Sequence, residues 1–175
     1  MSILKVFGGK INNHTQLRQK VVYVFHDKQN IIPDVILPRF VRGHGIPVDN
    51  PEMVATAMYL EHMSYAFPGS RLAYHILLDF NGEICGEKAD EVAWKINGFL
   101  RDRGISFVQA VHHMKGDGTI WAPHVHIIIS TMFVDGPNRG RKYHIDKTEL
   151  AAYKDFANDV LEEYELPPIF VNWKG

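Results

Sequence analysis

Residues 107–130 read FVQAVHHMKGDGTIWAPHVHIIIS and hold four of the chain's ten histidines, set at the ends of two apolar runs. Val108 to Val111 has the make-up of one short strand and Pro123 to Ser130 of another. The Gly- and Asp-rich connection between them predicts an antiparallel hairpin with a long loop. Side chains alternate along a strand, so His124 and His126 share a face with Ile128 and Ser130, while Val125, Ile127 and Ile129 take the other. Neighbouring strands lie about 5 Å apart, so this pair and a histidine ending the partner strand can converge on one metal ion. His112 and His113 are adjacent, and only one of them can face the pair; strand parity leaves both open.

Arg71 to Phe80, RLAYHILLDF, is an almost continuous apolar run that suits a central strand. On it Ala73, His75, Leu77 and Asp79 share one face, so His75 can join the histidines from an adjacent strand. Asn81-Gly82-Glu83 reads as a turn, and Ala89, Val92, Ala93, Ile96, Phe99 and Leu100 mark an amphipathic helix leading back into the Phe107 strand. Nearer the N-terminus, Leu4 to Phe7 predicts a short strand. A helix from about Thr15 buries Leu17, Val21 and Val24 and carries Tyr23 on the flank of that stripe. His26 to Pro47, with two prolines before its last and two glycines, predicts an irregular excursion bearing Arg39 and Arg42. Asn50-Pro51-Glu52 is a helix start, and Pro68-Gly69 its stop.

After Ser130 comes a polar stretch with Arg139, Arg141 and Lys142 close together. Asp146 and Glu149 have capping-box spacing for a last helix whose stripe is Leu150, Tyr153, Ala157, Val160, Leu161 and Tyr164. Helices interleaved with strands around one hairpin predict an α+β fold: a central, mainly antiparallel sheet, with helices packed on one face and the site on the other, open face.

At 175 residues and 46% hydrophobic, the chain can bury an ordinary core and reads as one domain, residues 1–175. Its single cysteine, Cys85, excludes an internal disulfide and suits a reducing cytoplasm. No run reaches membrane-span length and no signal segment opens the chain, so no membrane partner is expected. A net charge of −1 gives no bulk signal for nucleic acid, so DNA binding would have to come from local basic patches.

AYHILLDFNGEI, the amphipathic helix after it, QAVHH and APHVHIIIS together resemble the relaxase family, the plasmid mobilisation nucleases of the HUH endonuclease type. In that family a histidine-hydrophobe-histidine strand and a third histidine on its neighbour bind a divalent metal. The resemblance puts His112 in the ligand set with His124 and His126, because His112-His113-Met114 stands where the family has His-x-Asp. Met114 replaces the acidic residue, which in the family orients a ligand, and the connection to His124 is longer than usual; His113 therefore stays a second candidate. QLRQKVVYVFHDK resembles the nucleophile segment and places Tyr23 at the nucleophile, with His26 for the branch that uses histidine. Glu83 matches a recurrent acidic position, and Glu83, His113 and His75 are candidates for orienting the metal ligands.

The implied activity is metal-dependent nicking and rejoining of one DNA strand at a transfer origin, through a 5′-phosphotyrosyl intermediate, with Mn2+ or Mg2+ as cofactor. The implied partners are the origin DNA, as single strand or hairpin, and accessory DNA-binding and coupling proteins. Contacts to DNA would fall to Arg39, Arg42, Arg139, Arg141 and Lys142, with Phe40, Tyr143 or Trp121 to stack bases. Two other readings share these residues. A rolling-circle replication initiator would place its tyrosine after the histidines, at Tyr153 or Tyr164, and a noncatalytic DNA-binding module would keep the fold without the chemistry.

Overall fold

The computed structural model describes residues 2–25, 40–65, 69–82, 84–114 and 120–174. In chain order the elements are β1 (Ser2–Phe7), α1 (His14–Phe25), β2 (Val41–His44), α2 (Pro51–Ser64), β3 (Ala73–Asp79), α3 (Gly86–Ile96), α4 (Gly98–Arg101), β4 (Ile105–Met114), β5 (Ile120–Phe133), α5 (Lys147–Glu163) and β6 (Ile169–Lys174). The two histidine-bearing runs pair as an antiparallel hairpin, with His112 opposite His124 and Ala110 opposite His126. Both strands run further than their apolar cores, so the connection is shorter than the long loop expected. The strand order is β2-β4-β5-β3-β1-β6, antiparallel throughout except for β1 beside β6.

Period-two alternation sorts the strand residues onto two faces. On one, Leu4, Val6, Ile76, Leu78, Val111, Val125, Ile127 and Ile129 form a core with α3, α4 and α5. On the other, Ala73, Val108, Ala110 and Ile128 pack under α1 and α2 through Leu17, Val21, Val24, Val54, Ala55 and Met58. The histidine face is therefore not bare: two helices roof its β4–β5 part, and the site lies at the margin of that roof. The helices start where their caps dictate. Asn50 Oδ1 accepts the Glu52 amide at 2.7 Å with Pro51 in the first turn, and Asp146 Oδ1 accepts the Glu149 amide at 2.8 Å. Each such cap contributes about 1 kcal/mol.

β2 and β6 are strands where the sequence predicts none. β2 lies inside the Pro- and Gly-rich excursion and gains its ladder from β4, with Arg42 opposite Gln109. β6 follows Pro167-Pro168 and adds to β1 in parallel, Phe170 beside Ile3. At the site end of β3 the chain reverses through Asn81 and Gly82, both at positive φ (54° and 77°), with Asp79 Oδ1 accepting the Asn81 amide at 2.8 Å. Glycine tolerates that backbone without cost, and asparagine better than most residues. Among the described residues no helix is long and apolar enough to cross a membrane.

Candidate active site

His112, His124 and His126 meet on the α1 side of the sheet, one ring nitrogen of each within 4.8 Å of the others. Register does this: His112 faces His124 across the hairpin, and His126 follows two residues on, so the ring centroids of His112 and His126 are 4.4 Å apart and those of His124 and His126 5.2 Å. His112 and His126 are buried, and His124 is partly exposed at the rim.

Hydrogen bonds fix which nitrogen each ring can offer. Val24 O, in the last turn of α1, lies 2.7 Å from His112 Nε2, and a carbonyl can only accept. His112 Nε2 therefore carries the proton, which in a neutral ring leaves the lone pair on Nδ1. His124 Nδ1 lies 3.2 Å from Ala122 O, which by the same logic puts its lone pair on Nε2. His126 Nδ1 is 2.8 Å from His75 Nε2, and either can be the donor. If His126 donates, its buried Nε2, which has no hydrogen-bond partner among the described residues, presents a lone pair. Three neutral imidazoles with one ring nitrogen each within 4.8 Å of the others are a donor set suited to a divalent ion, and the orphaned buried nitrogen of His126 is what such an ion would satisfy.

Burial keeps the inner rings neutral. The His75 pKa is lowered to about 3, first by desolvation and then by the charges of Lys20, His112 and Lys5. That of His126 is driven down further, again by burial first and then by His112, His75, His124 and Lys20. Phe7 stacks on His75 with centroids 4.2 Å apart, closing the site on the β1 side.

The structure brings Tyr23 into this cluster. It sits in the last turns of α1, partly buried on the flank of the Leu17, Val21 and Val24 stripe, its ring centroid 5.3 Å from His126, 6.0 Å from His112 and 6.1 Å from His75. The bond from His112 to Val24 ties the same turn of α1 to β4. Tyr153 and Tyr164 lie in the opposite layer. Tyr153 is buried and donates to Asn97 Oδ1 at 2.7 Å, and the Tyr164 hydroxyl donates to Glu91 at 2.6 Å.

The remaining candidates do not gather at the histidines. Arg42 lies on the α3 face, its Nε 2.7 Å from Asp90 Oδ2 and its guanidinium 5.6 Å from the Trp94 ring centroid. Asp90 is itself inside a buried network in which Gln109 donates to Asp90 and Asn97 donates to Gln109, both at 2.9 Å. Arg139, Arg141 and Lys142 are exposed in the loop after β5, seven residues or ~24 Å of strand beyond His126. Tyr143 is buried and donates to Glu149 at 3.0 Å, so it is not available to stack a base, and Phe40 packs against the α3-side core. Arg39, His26, Glu83 and the side chains of His113, Met114 and Trp121 lie outside the described residues.

Three contributors to the site went unread in the sequence: Phe7, Lys5 and Lys20. Alternation already puts Lys5 and Phe7 on one face of β1. Only the placement of β1 beside β3 shows that this is the histidine face.

This architecture, a mixed six-stranded sheet with helices on both faces, is similar in fold to solved relaxase domains. The MobM relaxase domain (MOBV; Mob_Pre), solved with manganese at pH 6.8 and bound to 22 nucleotides of plasmid pMV158 oriT DNA carrying a 3′-thiophosphate, is similar to this chain with a TM-score of 0.59. The identity is 12%, covering 96% of this chain and 88% of that one. The same domain with 22-nucleotide oriT DNA and manganese at pH 5.5 gives a TM-score of 0.56 at the same identity and coverage. A structure concerned with the molecular basis of vancomycin resistance transfer in Staphylococcus aureus gives 0.58 at 15% identity, covering 98% of both chains. At these identities the likeness is one of fold. No protein-family model matches the sequence, and no curated protein does.

Proposed function

We propose that residues 1–175 form a relaxase-type nuclease domain that nicks and rejoins one DNA strand at a transfer origin, with Tyr23 as nucleophile. The observation that carries this reading is the convergence of the Tyr23 ring on three histidines whose nitrogens lie within 4.8 Å of one another. The oriT DNA and manganese bound to the MobM domain of the same fold support it. A divalent ion, manganese or magnesium, held by His112, His124 and His126 would polarise the scissile phosphate and offset the charge that builds on its oxygens.

The chain's own residues do the rest. The Tyr23 oxygen attacks phosphorus in line, an O–P bond forms as the bond to the 3′ oxygen breaks, and the phenolic proton lost is balanced by one gained at the departing 3′ oxygen. The product is a 5′-phosphotyrosyl link with a free 3′-hydroxyl, so one phosphodiester replaces another and resealing needs no nucleotide cofactor. His75 holds His126 in the tautomer that presents Nε2, taking up the orienting task left open by Met114. Arg139, Arg141 and Lys142, far along β5, contact DNA away from the point of cleavage. A rolling-circle initiator would need a tyrosine that follows the histidines, and Tyr153 and Tyr164 both sit behind the sheet.

The test is incubation with Mn2+ and a supercoiled plasmid carrying the DNA that flanks the coding region. The expected result is a strand-specific nick with protein on the 5′ end, mass spectrometry placing the nucleotide on the peptide containing Tyr23. Tyr23→Phe removes one oxygen from a partly buried ring and should abolish the adduct while sparing DNA and metal binding. An adduct on another residue refutes the assignment, and tight DNA binding with no adduct supports the noncatalytic module.

A further inference from the structure

α1 and α2 pack over β4 and β5, and the histidine face continues past them onto β3, β1 and β6. Along β1 the residues on the α5 side are buried, whereas Ile3, Lys5 and Phe7 are partly exposed. Leu77 and Asp79 of β3 are partly exposed on the same face. Ile169 of β6 is buried toward α5, so alternation turns its neighbour Phe170, 56% exposed, to the histidine side.

Register links these residues to the site. Phe170 pairs with Ile3, Ile3 with Asp79, Asp79 with His124, and His124 with His112, which makes one row across the sheet. The next row runs from Lys5 through Leu77 to His126. At about 4.8 Å per strand, Phe170 stands roughly 14 Å from His124, within reach of a few nucleotides. Lys5 Nζ lies 4.7 Å from the Phe7 ring centroid, and Phe7 stacks on His75, so a positive charge borders both the strip and the site. The strip's one carboxylate, Asp79, is bent back onto the Asn81 amide.

We infer that this strip of β3, β1 and β6 seats the single-stranded DNA flanking the scissile phosphate, with a base stacked on Phe170 and a phosphate drawn to Lys5. The inference rests on the nuclease reading above. Interleaved apolar and cationic side chains suit a chain of flat bases joined by anions, since every base has a face to stack and every linkage a charge to neutralise. A protein partner would favour a broader, continuous apolar patch.

The experiment is fluorescence anisotropy with labelled oligothymidylate of about 16 nucleotides, run over a salt series beside the adduct assay on the origin plasmid. Phe170→Ala is expected to weaken binding about tenfold and Phe170→Tyr to keep it, with unchanged melting because the ring is more than half exposed. Lys5→Gln is expected to flatten the salt slope by about 0.7, the value for one single-strand phosphate contact. Wild-type affinity and slope in both Phe170→Ala and Lys5→Gln, while wild-type protein still forms the Tyr23 adduct, overturns the strip and leaves the nuclease reading intact. No adduct from wild type, with the tenfold loss still seen in Phe170→Ala, sinks the nuclease reading and keeps the strip as a DNA surface.

Discussion

His75→Phe isolates the tautomer argument. His75 is buried, stacks on Phe7 and touches His126 through a single 2.8 Å bond between ring nitrogens. Phenylalanine keeps the flat ring and the stack and deletes the acceptor. His126 Nδ1–H then loses its partner, and the tautomer with a bare Nε2 is no longer favoured over the other. Losing the group that orients a metal-bound histidine costs roughly 10- to 100-fold in affinity, or about 1.4–2.7 kcal/mol. Mn2+ titration by calorimetry, with His75→Phe beside wild type, should show that rise in Kd. The metal-free variant should melt close to wild type, because the His75 Nδ1, buried with no partner among the described residues, goes with it and offsets the partner lost by His126 Nδ1. His75→Gln should recover most of the affinity, since its amide oxygen can replace Nε2 as acceptor. A Kd within about threefold of wild type in His75→Phe would show that the bond between these rings does not set the ligand tautomer. Long-range nitrogen–proton NMR supplies an independent reading: protons on Nε2 of His112 and Nδ1 of His124, and on Nδ1 of His126 once metal is added.

Stability should fall as the pH drops below about 6.5. His75, with its pKa lowered to about 3, and His126, lowered further, bind protons near pH 6.5 only when unfolded, so their contribution is complete above about pH 6.5 and is lost as pH falls from there toward 3. Urea midpoints of the metal-free protein should drop from about pH 7 to about pH 5, with a limiting slope near 1.4 kcal/mol per pH unit for each proton, and His75→Phe should lose one proton's share. A flat profile would contradict the buried, neutral rings. Arg42→Ala should cost about 2 kcal/mol, roughly 4–8 °C in melting temperature, because it strips the guanidinium from a buried Asp90, which keeps its bond from Gln109, while leaving single-strand affinity unchanged. Melting unchanged but DNA binding weakened would move Arg42 to the DNA surface. Neutralising Arg139, Arg141 and Lys142 together should flatten the salt slope on long origin DNA and leave nicking of a short oligonucleotide at its wild-type rate, since the loop lies ~24 Å of strand from His126. Slower nicking of the short substrate would place the loop at the site.

Local periodicity reached the histidine hairpin because parity and cross-strand spacing are both short-range facts. His112 could be separated from His113 only by pairing, which sets it opposite His124. For His75, parity gave the face but not the partner. Its direct neighbour across the ladder is Ile128, and it meets His126 on the diagonal, a contact that depends on the register between strands some fifty residues apart. The edge strands were illegible for another reason. Val41 to His44 has no alternation to read and becomes a strand because β4 offers it an unpaired edge, while Ile169 to Lys174 does alternate but stands behind two prolines that signal a stop.

The same long-range term decides what the site can do. A tyrosine on the flank of a helical stripe is ordinary packing until the helix is laid across the sheet. Here the bond from His112 to Val24 ties α1 to the strand that bears the candidate ligand, so Tyr23, one residue away, is carried to within 5.3 Å of the His126 ring. His112 thus enters the proposed chemistry twice, once through the nitrogen it aims at its fellow histidines and once through the nitrogen that positions the proposed nucleophile's helix. Its removal should disturb both functions together, whereas removal of His124, at the rim with its Nδ1 3.2 Å from Ala122 O of its own strand, should disturb metal binding and leave α1 in place.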